Sequence, residues 1–263
     1  MRLRDIVSIT LCLSGQTAFA QVDADTLFGA IRAQDSSAVA RLLDANPALA
    51  SASNDRGRSA VMMALFLRDD QLFLTPTRNP TLQALLRHHP TLTFFESCAT
   101  GDFNAVKKAL SQDATLAKSW HPSGLSALHF AAFSGDVAVT KLLLDNGAQI
   151  DARARNDQIN TPLQVALLPG NETTARLLLE RGADPLIRQE RGFAPLHEAA
   201  FIGRRDLVDL LLEKGADIDS RANDGRNAIT EALRGGHPEL ADYLRARGAK
   251  EVAITADLMK IPE

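Results

Sequence analysis

The sequence predicts an all-α solenoid of about seven helix-turn-helix units with β-turn connections, and two regular spacings carry that prediction. The apolar residue that opens each unit advances in steps of 35, 33 and 33 residues, and the glycine that closes each unit keeps the same steps. The openers are Leu128, Leu163, Leu196 and Ile229, and the glycines are Gly147, Gly182, Gly215 and Gly248. A fixed period of about 33 residues indicates one supersecondary unit stacked on copies of itself. Function is therefore expected on a surface.

The clearest unit covers residues 191–217. Its first helix is predicted to start near Pro195, because proline fits the first helical position, where no amide hydrogen is needed. Gly203 is predicted to end that helix in the left-handed conformation. A second helix, which Gly215 ends, carries an apolar run: Leu207, Val208, Leu210, Leu211 and Leu212.

These motifs resemble the ankyrin repeat, whose signature contains T-P-L-H-x-A. The resemblance covers residues 121–250 and is carried by Ser126-Ala127-Leu128-His129, Thr161-Pro162-Leu163 and Ala194-Pro195-Leu196-His197, with endings such as Lys214-Gly215-Ala216-Asp217. It implies a concave face that binds other proteins. It also implies that His129 and His197 tie a helix start to the backbone of the neighbouring turn, with Ser126 as the hydroxyl partner of His129.

Residues 21–263 are predicted to form one continuous ankyrin-repeat domain, because no linker or charge block interrupts them. Degenerate repeats are expected over about 21–120, clear repeats over about 121–250 and a C-terminal cap over 251–263. The expected upstream helices cover residues 27–34, 39–43, 93–102 and 105–110. Residues 72–80 interrupt the second unit, and the turn before Thr161 carries two extra residues within the polar stretch 156–160. Both insertions are expected in surface loops, either as part of a binding face or as neutral drift.

Residues 1–20 have the layout of a secretory signal peptide: a basic start, a short apolar run over 6–13 and the small-x-small site Ala18-Phe19-Ala20. The run is too short to span a bilayer. The alternative is a buried first helix. The signal peptide predicts a bacterial exported protein, periplasmic or secreted, with no membrane span after cleavage.

Charge and cysteine content narrow the classes of partner. Cleavage after Ala20 would remove two arginines and one aspartate, and would change the formal net charge from −3 to −4. An acidic chain disfavours binding to nucleic acid or to an anionic membrane. Only Cys98 would remain, so no intramolecular disulfide can form, which favours a bacterial periplasm over a eukaryotic extracellular space.

No motif in the chain points to catalysis, a cofactor or a metal. His88 and His89 lack a third ligand at useful spacing, and His121 and His237 lack any cluster around them. Cys98 is expected to be buried, and the carboxylates are interpreted as solvated charge. The sequence therefore predicts a non-enzymatic protein without cofactors. The alternative is an enzyme or enzyme accessory with its chemistry in the 72–80 insertion or at Cys98.

A partner surface is predicted by aligning the units on the glycine that closes each first helix. The preceding residues form an apolar row, with two turn residues beside it and arginines as a polar rim. The row is Phe66, Leu67, Phe133, Leu168, Phe201 and Ile202, beside it lie Leu125 and Phe193, and the rim is Arg58, Arg226 and Arg234. The alternative is that these side chains pack inside the stack or beneath the 72–80 loop.

The function predicted from these features is a protein–protein interaction scaffold that binds a partner protein on its concave face and is a monomer when unbound. Two roles remain open for it: an immunity protein, or a stabilising accessory of an envelope enzyme. A self-associating structural envelope protein is the further alternative.

Overall fold

The computed structural model describes residues 24–66 and 79–252 of the 263-residue chain. The chain forms two compact units, residues 1–96 and residues 97–263. The predicted signal peptide, residues 72–78 of the predicted insertion and nearly all of the predicted C-terminal cap lie outside the described residues. The single domain predicted over residues 21–263, with its degenerate and clear repeats, stays a prediction.

The described part of the first unit is built from two helix pairs. Helix α1 covers residues 24–32, and α2 (Ser36–Ala45) follows it and leads into a 3-10 turn. Helices α3 (Ala60–Leu65) and α4 (Pro80–Leu86) form the second pair. The Asn79 side chain caps α4 through the amide of Leu82 and also donates to the carbonyl of Ala64, at 2.8 Å, so it ties the second pair together.

The remaining helices of the described residues form five successive pairs, with two to four residues between the two helices of each pair and a longer segment between one pair and the next. They are α5 (Phe94–Thr100), α6 (Phe103–Gln112), α7 (Ala127–Ser134), α8 (Val137–Asp145), α9 (Pro162–Leu167), α10 (Glu172–Glu180), α11 (Pro195–Phe201), α12 (Arg205–Glu213), α13 (Ala228–Arg234) and α14 (Pro238–Ala246). Apart from two isolated β-bridges, residues 24–66 and 79–252 contain no β-structure. The predicted all-α fold is confirmed.

Several predicted helix bounds differ from the structure because capping residues set them. Helix α5 ends at Thr100 rather than at Asp102, since Gly101 is left-handed with φ of 76°. Asp102 instead caps α6 by accepting from the amide of Ala105, so α6 begins two residues before its predicted start. Helix α1 covers residues 24–32 and not 27–34, and Gln34 after it has φ of 55°.

The first helix of each pair in the second unit is short and buried on nearly all sides. The openers Leu128, Leu163, Leu196 and Ile229 are at most 1% exposed. Small residues such as Ala199 and Ala200 are fully buried and allow close approach of the neighbouring helices. The second helices bury only one stripe, which is typical of amphipathic helices at a surface. Each first helix therefore depends on its neighbours for burial.

The turns between units repeat one hydrogen-bond pattern and bond to each other. In one of them the amide of Gln189 donates to the carbonyl of Phe193 at 3.0 Å, and the turns around residues 121–125 and 222–226 match it. Consecutive turns are joined by backbone bonds, such as that from the Arg155 amide to the Gly124 carbonyl at 2.7 Å and that from the Asn223 amide to the Arg191 carbonyl at 3.0 Å. The turns therefore form a continuous hydrogen-bonded edge.

The histidine ties implied by the resemblance are present. The Ser126 hydroxyl lies 2.7 Å from Nδ1 of His129, and the ring's Nε2 lies 2.9 Å from the carbonyl of Asn160 in the next turn. The ring of His197 spans in the same way from the Ala194 amide to the Arg226 carbonyl. In the intervening unit, Gln164 takes this role and donates to the carbonyl of Phe193 at 3.1 Å.

Close approach, as well as conformation, requires glycine after the first helices. Gly203 has φ of 74°, as predicted, and a Cβ on it would lie 2.5 Å from the ring of His237. At Gly135 the same atom would lie 2.7 Å from the side chain of Asn171. Asn171 donates to the carbonyls of Ala132 and Phe133, both at 3.0 Å. It therefore caps the C-terminal end of α7 from the next unit.

Burial lowers the pKa of His129 and of His197 to about 4. Protonation thus favours the unfolded chain, where the pKa is near 6.5. The stabilising contribution of each neutral ring is complete above pH 6.5 and is lost as the pH falls toward 4. Lowering the pH from 7.5 to 5 should therefore reduce the free energy of unfolding by about 2 kcal/mol for each ring.

We therefore expect His129→Gln/His197→Gln to unfold with a weaker pH dependence than the wild type, because Gln164 shows that glutamine makes the same tie without titrating. Urea unfolding at pH 7.5 and pH 5 measures the difference. His121→Gln, at a half-buried turn residue whose Nδ1 bonds within its own turn, is the control. An unchanged pH dependence in the double variant would contradict the assignment.

Candidate partner-binding surface

The surface at the ends of the first helices is partly apolar in the second unit. We call it the first-helix surface and define it as Phe133, Leu168, Phe201 and Ile202. Phe201 is 37% exposed, and the other three are half-buried. These residues end α7, α9 and α11, where the chain turns into the second helix, so that position places an accessible apolar side chain in three successive units.

The two turn residues predicted beside this surface differ in exposure. Leu125 is half-buried, but Phe193 is only 8% exposed. The guanidinium carbon of Arg226 lies 4.6 Å from the centre of the Phe193 ring, and His197 packs against the same ring edge-on at 5.5 Å. The prediction that Phe193 lies exposed beside the row is wrong, because these two side chains cover it.

The predicted polar rim of Arg226 and Arg234 is also wrong. Arg226 is 5% and Arg234 is 9% exposed, and both guanidinium groups pair with the carboxylate of Glu231 at 2.9 Å. Asp224 gives Arg226 a second carboxylate at 2.7 Å. A buried charge is stable only when it is paired in this way. These arginines therefore belong to a buried ion-pair cluster and not to an exposed rim, and the guanidinium carbon of Arg234 also lies 5.8 Å from the centre of the Phe201 ring.

In the first unit, two of the predicted residues lie together. Phe66 follows α3 and is 40% exposed, and Arg58 is exposed in the turn that precedes α3. Both line an open cavity of about 420 Å³. Leu67 lies outside the described residues.

The interpretation of the carboxylates as solvated charge is wrong for three of them. Glu96, Glu198 and Glu231 are 2%, 7% and 4% exposed. Glu96 is held by the hydroxyl of Ser59 and by the amide of Thr93. The sequence carries a signal for Glu231, since Glu231 and Arg234 stand three apart on one helix, which is the spacing of an ion pair.

Glu198 differs from its counterpart Glu231, which stands 33 residues later in the next first helix. Among the described residues, neither of its carboxyl oxygens has a hydrogen-bond partner of normal geometry, although Gln189 lies nearby. Burial raises the pKa of Glu198 well above its ordinary value. Burial also raises the pKa of Glu231, and its two arginines offset part of that effect.

The thiol of Cys98, where the sequence left catalysis open, is shielded from solvent. Cys98 is fully buried, and burial raises the pKa of its thiol to about 12, so the nucleophilic thiolate does not form at neutral pH. No group of three or more His, Cys, Asp or Glu side chains with metal-binding geometry occurs in the part of the chain that the structure describes. Within residues 24–66 and 79–252, no helix has both the length and the apolar character that a membrane crossing requires.

Comparison with known proteins matches this geometry to one family. The family model for ankyrin repeats, in three copies, matches residues 94–189 and 185–255. The resemblance that the T-P-L-H motifs indicated is therefore confirmed, and the match extends from the residues that carried it back to residue 94.

Among curated relatives, the chain is 46% identical over 83 residues to a transient receptor potential cation channel subfamily A member 1 homolog of Caenorhabditis elegans, covering 32% of this chain and 7% of the channel. It is 36% identical over 91 residues to the human protein phosphatase 1 regulatory subunit 27, covering 35% of this chain and 58% of that protein. It is 36% identical over 95 residues to the E3 ubiquitin-protein ligase XB3 of Oryza sativa, covering 36% and 21%.

The chain spans less than two thirds of the length of each of these relatives. Their names describe different activities, so the segment that they share with this chain is a repeat found in functionally different proteins.

Glu198 and Glu231 should respond in opposite directions to the loss of their charge. Because the folded state holds the Glu198 proton more tightly than the unfolded state does, the free energy of unfolding falls as the pH rises above about 4.5. Glu198→Gln removes that loss and should stabilise the chain at pH 8 by about 1–3 kcal/mol, with a smaller gain at pH 4.5. Urea unfolding at the two pH values measures this.

Glu231→Gln is the matched control. It should destabilise the chain by about 3 kcal/mol at pH 8, because two buried arginines lose their shared carboxylate. Equal responses of the two variants would contradict the assignment of Glu198 as unpaired.

Proposed function

The chain belongs to the ankyrin-repeat family, and from that premise we propose that it is a non-enzymatic scaffold that binds another protein through the first-helix surface. Ankyrin repeats are protein–protein interaction modules and are generally not enzymes in themselves, so the chain carries an interaction scaffold. The partner, the surface it contacts and the compartment are parts of the proposal.

The accessible aromatic side chains on the first-helix surface carry this proposal. Phe201 is 37% exposed, and Phe133 is half-buried at the equivalent end of an earlier first helix. Aromatic side chains at the centre of a contact typically supply most of its binding energy. Arg234 contacts the Phe201 ring, and the side chain of Asn171 donates to the carbonyl of Phe133, so each anchor has a contact with the next unit.

The connected turns support binding without a conformational change. Backbone bonds join neighbouring turns, and the rings of His129 and His197 add side-chain ties across the same gaps. A surface that is already ordered loses little conformational entropy when a partner associates. The scaffold therefore acts as a rigid template for its partner.

The assignment as a non-enzymatic protein is supported by what the perturbed groups do. His129 and His197 have both ring nitrogens in contact with the backbone or with a neighbouring side chain, and the thiol of Cys98 stays protonated. Glu231 is committed to an ion-pair cluster. These groups maintain the fold and do not face a substrate cavity.

We propose the bacterial periplasm, or secretion, as the location, on the layout of residues 1–20. A partner there would be an envelope or secreted protein. The roles as an immunity protein and as a stabilising accessory of an envelope enzyme both fit a binder in this compartment.

Substituting both anchors tests the surface. Phe133→Ser/Phe201→Ser should reduce the amount of partner that the tagged chain recovers from an envelope extract by at least about tenfold, because two aromatic contacts are lost. Quantitative mass spectrometry of the recovered proteins measures it. Phe103→Ser removes an exposed phenylalanine from a second helix and serves as the control. Undiminished recovery by a folded double variant would refute the surface.

Export is tested with residues 1–20 fused to an alkaline phosphatase that lacks its own leader. The enzyme folds only where disulfides form, so export should give activity in whole cells. Leu11→Arg/Leu13→Arg breaks the apolar run and should abolish that activity. Equal activity from both fusions would argue against a signal peptide.

A further inference from the structure

We propose that the cavity beside α3 binds an acidic segment of the partner protein, with Arg32, Arg56 and Arg58 pairing its carboxylates and Phe66 contacting an apolar side chain. The inference rests on the proposed function, since it names the chemistry of the partner. It also places Arg58 and Phe66, two residues of the predicted surface, in one site.

The cavity is formed by three segments of the first unit. Arg32 ends α1, Arg56 and Arg58 lie in the turn before α3, and Met63 and Phe66 come from α3 and the residue after it. Its volume of about 420 Å³ is at the lower end of the range for small-ligand sites. It can therefore hold a few side chains of an extended segment but not a folded face.

The turn that carries two of the arginines has a fixed backbone. Oδ1 of Asn54 accepts hydrogen bonds from the amides of Arg56 and Arg58 at 3.1 and 2.9 Å. The amide of Asn54 donates to the carbonyl of Arg58 at 2.9 Å, and Gly57 takes the left-handed conformation that the turn needs, with φ of 70°. The two guanidinium groups therefore extend from a rigid base.

The charge of this site is unlike that of the chain. Three exposed guanidinium groups line it against the single carboxylate of Asp55, while the chain as a whole has a formal net charge of −3. Within the described residues, none of the three forms an ion pair, whereas Arg226 and Arg234 both pair with Glu231. Arginine binds carboxylates through two parallel hydrogen bonds, so an acidic segment is the complement of this site.

An acidic peptide fits these observations better than a nucleic acid does. Nucleic-acid sites combine an extended basic groove with several aromatic platforms on which bases stack. Here one aromatic ring stands beside a compact cluster of three arginines. The occupant is therefore a short segment with two or more carboxylates and one apolar side chain.

The test uses the fluorescein-labelled peptide Asp-Glu-Phe-Asp-Glu and fluorescence anisotropy at low salt. Arg56→Gln/Arg58→Gln should weaken its binding by about tenfold, because two ion pairs are lost. Arg41→Gln/Arg87→Gln changes the net charge equally at exposed arginines outside the cavity and should bind like the wild type. Equal weakening in both double variants would overturn the site in favour of general attraction.

Further binding measurements distinguish the acidic peptide from other possible occupants of the cavity. Phe66→Ser should weaken binding of this peptide but not of a version with Gly in place of Phe, and equal loss for both would refute the apolar contact. Tighter binding of a single-stranded oligonucleotide than of the peptide would overturn the proposal. Tighter peptide binding by Asp69→Asn/Asp70→Asn would also overturn it, since it would show that these two carboxylates compete with the peptide for the arginines. Unchanged affinity in that variant supports a site open to a partner.

The outcome is distinguishable from failure of the proposed function. If Arg56→Gln/Arg58→Gln still recovers the partner from envelope extract as well as the wild type does, this inference fails while the scaffold stands. If the peptide binds to the arginines but Phe133→Ser/Phe201→Ser leaves recovery unchanged, the first-helix surface fails while the acidic-segment site stands.

Discussion

The fold depends on the inability of a short first helix to bury itself. A helix of six to eight residues such as α9 or α11 is too short to be stable alone. It is stable here because apolar residues on nearly all its sides meet neighbouring helices, with Leu163 and Leu196 no more than 1% exposed. Stability is then a sum of contacts between neighbouring units, and the turns must keep the units at one spacing. The ring of His129, the side chain of Gln164 and the backbone bonds between turns set that spacing.

The same constraint explains where surface remains for binding. The residues that stack on both sides are buried, so the ends of the first helices keep accessible apolar side chains such as Phe133 and Phe201. The glycine at the end of a first helix also leaves room for a side chain of the next unit, as Gly203 does for the ring of His237. Packing therefore fixes the backbone beneath these positions but leaves the side chains themselves free to vary. This separation allows one architecture to serve different partners.

Much of the fold could be predicted from spacing, because the glycine and leucine periods record the contacts between units. The histidine ties could also be predicted, since the motif fixes which residue faces the next turn. The site was less predictable. Arg226 and Arg234 stand where an exposed rim was expected, but both pair with the buried Glu231. The spacing of Glu231 and Arg234 on one helix is visible in the sequence, whereas the pairing of Arg226, which comes from the preceding turn, is not. Phe193 is covered for the same reason, because Arg226 must pass over its ring to reach Glu231.

In the proposed complex, the partner protein contacts the ends of the first helices of the second unit. Hydroxyl-radical footprinting of the scaffold with its recovered partner tests this most directly, since it reports the accessibility of each aromatic side chain. We expect Phe133 and Phe201 to become protected in the complex, while Phe103 and Tyr243 on the second helices react as they do in the free chain. Protection of Phe103 and Tyr243 with no change at Phe133 and Phe201 would contradict it.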